Sequence, residues 1–174
     1  MPEGPLGAPR LTNVGPLSRI TKSEMRSNWE ECPSSGKDGE ICKMVKRIAI
    51  QILEDQEAFP EYETLQDINS GNCHNLARIL VNTEVGDGVD VLKAGYGYHV
   101  WVEYEGTHFD AETPSGVDDY KQLSFFDRVS ENVILKDIRR NVPKEDEPET
   151  LDETIENVTK LYKVGKNVEV DEVL

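Results

Sequence analysis

From Tyr98 to Tyr104 the side chains alternate, with Tyr98, Val100, Val102 and Tyr104 on one side and His99, Trp101 and Glu103 on the other. A period of two predicts a β-strand. Glu105-Gly106 follows as a two-residue turn signal, and Thr107 to Ala111 returns, so the segment reads as a hairpin. A turn centred on Glu105-Gly106 pairs residues whose numbers sum to 211. Trp101 then faces Asp110, and His99 faces Glu112. All four side chains share one face, and a slip of one residue would send both carboxylates to the other.

The rest of the chain is organised around this hairpin. Ile41, Met44, Val45, Ile48 and Ile52 make a stripe at helical spacing, which predicts an amphipathic helix from Ile41 to Glu57. Ser70-Gly71-Asn72 reads as a helix start, followed by a helix over Cys73 to Thr83 with Cys73, Leu76, Ala77 and Leu80 on one face. Val89 to Leu92 suits a short strand, Val117 to Tyr120 a turn or short helix, and Val133 to Ile138 a further strand. Leu151, Ile155 and Val158 are spaced for a C-terminal helix running to Tyr162. Helices followed by an antiparallel sheet give the α+β class. The domain reading has three parts. Residues 1–40, with five of the nine prolines, are a mostly irregular arm docked through Trp29. Residues 41–142 are the core, and residues 143–174 are an acidic linker and C-terminal helix.

Charge narrows the partners. The chain has 34 acidic against 19 basic residues, a net charge of −15. Nucleic-acid binding needs a basic face, and Arg139-Arg140 is too short to supply one. An anionic membrane surface is equally disfavoured, and no apolar run is long enough to span a bilayer. Residues 84–119 hold one base and nine acids. A negative field there favours cationic or neutral substrates, although a salt-adapted or simply soluble surface would have the same composition. Cys32, Cys42 and Cys73 are odd in number, widely spaced and without a CxxC pair. This predicts no disulfide framework, with Cys42 a packing residue, Cys32 without a role, and a reducing cytoplasm as the setting.

Cys73 and His99 are the residues able to carry chemistry. A cysteine attacks as thiolate, and the first turn of a helix favours that form through its unpaired N–H groups and macrodipole. Gly71 would let a substrate backbone approach closely. A thiolate needs a base that can become imidazolium, which His99 offers, and a third group to hold the ring. Asp110, diagonal to His99 in the predicted hairpin, and Glu112, directly opposite, are the candidates.

Gly71-Asn72-Cys73 at a helix start, His99-Val100-Trp101-Val102-Glu103-Tyr104 on a strand, and Gly106-Thr107-His108-Phe109-Asp110 beyond the turn together resemble the transglutaminase-like superfamily of papain-fold enzymes. The small archaeal, bacterial and viral members are the nearer likeness, and the matching stretch is roughly residues 65–115. The resemblance implies a nucleophile-bearing helix packed on a small antiparallel sheet. It also implies Cys73 as nucleophile, His99 as general base and acid, and Asp110 as the orienting carboxylate. The expected activity is acyl transfer through a thioester on a peptide, protein or amine substrate, as protease, amidase or transglutaminase-type transferase, without a cofactor or metal. No calcium-site pattern like that of animal transglutaminases is present.

An oxyanion site is required as well. The Cys73 backbone N–H is one donor. By likeness to papain-type enzymes Gln66 is the side-chain candidate for the second, with Asn69 and Asn72 competing, while Asn69 or Ser70 also suits the helix N-cap. Trp101 and Glu112 are candidates for lining the site, and Tyr96 and Tyr98 for an approach to it. His74 points about 100° away from Cys73 around a helix and reads as structural. His108 reads as a partner of Glu103. Two other functions fit the same residues. One is a binding or scaffolding module that does not turn over. The other is a zinc site on Cys73, His99 and Asp110, with His74 or His108 as fourth ligand.

Overall fold

A computed structural model describes residues 29–55, 57–60, 62–94 and 98–156. Most of the arm, Tyr96 and the last part of the expected C-terminal helix lie outside the described residues. Within them the fold is α+β, helices with one three-stranded antiparallel sheet. None of the described helices is long and apolar enough to cross a membrane.

Helix α1 (Gly36–Glu54) buries Ile41, Val45, Ile48, Ala49, Ile52 and Leu53, the stripe its spacing specifies. It begins five residues before Ile41, with Asp38 in a first turn where the macrodipole favours an acid. Trp29 packs into the same core, with the Lys46 ammonium 5.7 Å above its ring.

The cysteines depart from the sequence reading. Cys32 and Cys42 are joined in a disulfide, with Cα atoms 5.6 Å apart. The pairing closes a loop in which the chain doubles back onto α1, a geometry that spacing alone does not reveal. Disulfides persist in oxidising surroundings, so the ground for expecting a reducing cytoplasm is gone. Urea titrations with and without dithiothreitol are expected to differ by about 2–3 kcal/mol, the loop-closure entropy of so short a ring. Coincident curves would mean that the two thiols are not paired.

Helix α2 (Leu65–Gly71) was not foreseen. Thr64 and Asp67 form a capping box: the Thr64 hydroxyl accepts from the Asp67 N–H, and the Asp67 carboxylate accepts from the Thr64 N–H at 2.7 Å. Asn69 and Ser70 therefore lie inside a helix and are not N-caps. Asn72 ends α2 and precedes α3 (Cys73–Val81), with φ −136° and no side-chain cap. The break at Asn72 makes Cys73 the first residue of a new helix.

The sheet runs β1 (Asp90–Ala94), β2 (His99–Tyr104), β3 (Thr107–Phe109) in that spatial order. Observed partners are Val102↔Phe109, Glu103↔His108 and Tyr104↔Thr107, each summing to 211. Glu105 and Gly106 have φ of 47° and 88°, both in the left-handed region that a tight two-residue hairpin turn demands. The ladder stops at Phe109. Asp110 turns the chain, its Oδ1 accepting from the backbone N–H groups of Glu112 (3.1 Å) and Thr113 (2.9 Å).

Both faces of the sheet are covered. Val91, Val100, Val102 and Phe109 pack against α1, α2 and α3. Leu92, Ala94 and Trp101 pack against α4 (Ser124–Arg128), α5 (Glu131–Arg140) and the helical residues 151–156. Tyr98 belongs with Trp101 in this second core, not with Val100 as the alternation implied, because it precedes the first paired residue of β2. The expected strand over Val133 to Ile138 is instead part of helix α5. Ser130 caps it by accepting from the Val133 N–H. Ile134, Leu135 and Ile138 are buried, whereas Val133 is exposed. A short apolar run does not distinguish the two structures, and the cap decides it here.

Candidate active site

Cys73 is half-buried and is the free cysteine among the described residues. As first residue of α3 it has a backbone N–H with no acceptor inside that helix. Desolvation pushes its thiol up. The neighbouring His74 and His99, the His99 charge and the Val100 backbone outweigh that, and the thiol settles at about 6. His74 was expected to be structural, yet it is the foremost of these influences.

His99 is fully buried at the start of β2. Its Nε2 lies 2.9 Å from Asp110 Oδ2. A carboxylate accepts, so Nε2–H donates, and Nδ1 is buried with no hydrogen-bond partner among the described residues. Burial pushes the imidazolium down, but the Asp110 hydrogen bond and the charges of Cys73 and Asp110 carry it up to about 9. Between about pH 6 and 9 the two groups therefore stand as a thiolate–imidazolium pair. The ring is clamped by aromatic contacts. Phe125 of α4 stacks on it at 4.7 Å between centroids and 13° between planes, and Trp101 at 5.7 Å.

The remaining candidates have other placements. Trp101 is fully buried and donates its Nε1–H to His108 Nδ1 at 3.1 Å. It supports His99 and walls no open space, while His108 also faces Glu103 across the ladder as expected. Burial lowers His108, against the raising effect of Glu103, Asp119 and Asp118. Asn72 is buried and its side-chain oxygen accepts from Asn75 Nδ2. Gln66 is buried on α2. Gly71 is explained by the chain itself, since a Cβ there would lie 2.7 Å from the Tyr62 hydroxyl. That position is occupied, so no substrate backbone passes over it.

Glu112 does not face His99, because the ladder has ended. Its carboxylate accepts from Arg128 through both terminal nitrogens, at 2.9 and 2.7 Å, and from Asn69 Nδ2 at 2.7 Å. Arg128 and Phe125 were not singled out from the sequence, whereas Asn69, weighed there as an oxyanion donor or N-cap, gives its amide to Glu112. Arg128 and Phe125 carry no local motif and lie outside the stretch that bears the resemblance.

The acids of residues 84–119 are unevenly placed. Glu105 and Asp87, together with Asp38 of α1, act on Tyr104, and Glu103, Asp118 and Asp119 act on His108. Tyr104 is five residues along β2 from His99, about 17 Å at strand rise. That exceeds the screening length of about 8 Å at physiological salt. Asp110 and Glu112 are engaged by His99 and Arg128.

Among the described residues no three His, Cys, Asp or Glu side chains converge as metal ligands. His99 meets Asp110 through Nε2, while its Nδ1 is buried with no hydrogen-bond partner among the described residues. The chain matches no family model, no curated protein and no solved structure.

Proposed function

We propose that the protein is a cysteine-dependent acyl-transfer enzyme of the transglutaminase-like, papain-fold type, acting on a peptide or amide and passing the acyl group to water or an amine. The observation that carries this reading is the buried His99, bonded to Asp110 at 2.9 Å with its Nδ1 unpartnered, close enough to Cys73 that its charge helps hold the thiol at about 6. A helix-borne cysteine against a strand-borne histidine is the architecture such a core requires.

In the proposed reaction the Cys73 thiolate attacks the carbonyl carbon. The C–S bond forms as the carbonyl electrons move onto oxygen, where the Cys73 backbone N–H is the available donor. Collapse of that oxyanion breaks the C–N bond, and His99 Nδ1 gives its proton to the leaving amine. Water or a second amine then loses a proton to Nδ1 and attacks the thioester, and the C–S bond breaks to restore the thiolate. Asp110 holds Nε2–H throughout and so fixes the ring and its tautomer. Gln66 remains the side-chain candidate for the second oxyanion donor. The acids near Tyr104 lie about 17 Å along β2 from His99, so steering of a small cation at physiological salt would fall to the acids around His108.

Alkylation tests the reading directly. With Cys32 and Cys42 paired, iodoacetamide under non-reducing conditions should label Cys73 alone among the three cysteines. At pH 6 its rate should exceed that of an ordinary thiol by about tenfold, the gain in thiolate fraction less the lower nucleophilicity of a more acidic thiol. A Cys73 rate that rises only through pH 8–9, like that of an unperturbed thiol, would remove the enzyme reading and leave a binding module.

A further inference from the structure

We propose that Glu112, locked by Arg128, is a positioning residue that aims Asp110 at His99 and thereby maintains the Cys73–His99 ion pair; this rests on the acyl-transfer reading. Glu112 cannot act on His99 itself, since its carboxylate is occupied by Arg128 and Asn69. It acts through the turn. Its backbone N–H donates to Asp110 Oδ1 at 3.1 Å, beside the Thr113 N–H at 2.9 Å, while Asp110 Oδ2 meets His99. One oxygen of Asp110 is held by the turn and the other by the imidazole. The direction of the carboxyl group is therefore set by where the Glu112 backbone sits.

The Glu112 side chain fixes that backbone to two helices. Arg128 ends α4, three residues after the Phe125 ring that stacks on His99. Asn69 lies on α2, which leads through Asn72 into Cys73. A single carboxylate thus joins the turn presenting the acid, the helix beneath the imidazole and the helix before the nucleophile. Both side chains of the pair are buried, Arg128 at 1% and Glu112 at 0% exposure. Apolar side chains of similar volume often fill such a space as well or better. A buried ion pair is therefore weak evidence of a stabilising role, and here its bonds lead to the catalytic geometry.

The test is the pH dependence of Cys73 alkylation by iodoacetamide in the full chain, read by intact mass, with circular dichroism reporting the fold. The variants are Glu112→Asp, Glu112→Gln and the double Glu112→Leu/Arg128→Met. The double variant removes both charges together, so no change in net charge shifts His99, and it refills the space with apolar groups. Glu112→Gln and the double variant are expected to slow alkylation at pH 6 by about three- to tenfold, up to the whole advantage of the wild-type thiol. Glu112→Asp, which retains the charge, should regain part of that rate. An unperturbed thiol in the wild type would remove the acyl-transfer reading itself. A wild-type inflection near 6 that is unmoved in every folded variant would overturn the positioning role alone. So would a double variant that matches the wild type in both melting and alkylation, which would make the pair dispensable to stability and site alike. If no variant folds, Glu112 is a folding residue and the proposal falls.

Discussion

Replacing His99 with alanine is expected to lower turnover of an amide substrate by about 10²–10⁴-fold, the range of a positioned general acid–base. Two effects add. The proton donor for the leaving group is lost, and the thiolate loses its counter-charge. His99 supplies a favourable charge to Cys73, while desolvation works against the thiolate. With His99 gone, His74 and the Val100 backbone must offset that desolvation alone, so the thiol moves up. The wild-type profile of kcat/KM against pH should be bell-shaped. It falls below about 6 as the thiolate is protonated and above about 9 as the imidazolium loses its proton. In His99→Ala the acid limb should move upward and the limb near 9 should vanish. A variant within tenfold of wild type, with both limbs retained, would show that His99 is not the base.

The features legible in the sequence are those set by local pattern. Alternation and the Glu105-Gly106 turn specify the β2–β3 register, because side-chain period and turn length admit one pairing. The stripe from Ile41 to Ile52 specifies α1 for the same kind of reason. Where the reading fails, a non-local contact or a cap decides. Glu112 was expected opposite His99 because the hairpin was extended past its end. In the structure Asp110 spends its side chain on a turn, and the ladder closes at Phe109. Val133 to Ile138 reads as strand or helix until Ser130 caps it. The Cys32–Cys42 bridge and the Arg128–Glu112 pair join segments whose approach no spacing reports. His74 shows the reverse error, since an angle around a helix axis does not exclude reach to a neighbouring thiol.

Arg128→Met alone is expected to destabilise the fold by about 3–5 kcal/mol, because it strands the Glu112 carboxylate in the interior. Arg128 gives Glu112 both terminal nitrogens at 2.9 and 2.7 Å, and only the single Asn69 bond would remain. One neutral amide does not replace a guanidinium around a buried charge. Converting Glu112 to leucine in the same chain should recover most of the loss, since it removes the orphaned charge. Urea denaturation of the two chains measures the difference at constant m-value. The sign of the second step is decisive. Recovery in the double variant means that the cost of Arg128→Met lies in an unpaired charge, and leaves the alkylation rate of that variant to decide whether the pair positions Asp110. A double variant as unstable as the single one would instead assign the loss to packing around the methionine. A loss below about 1 kcal/mol in the single variant is the signature of a solvated surface pair and would contradict the burial of both side chains.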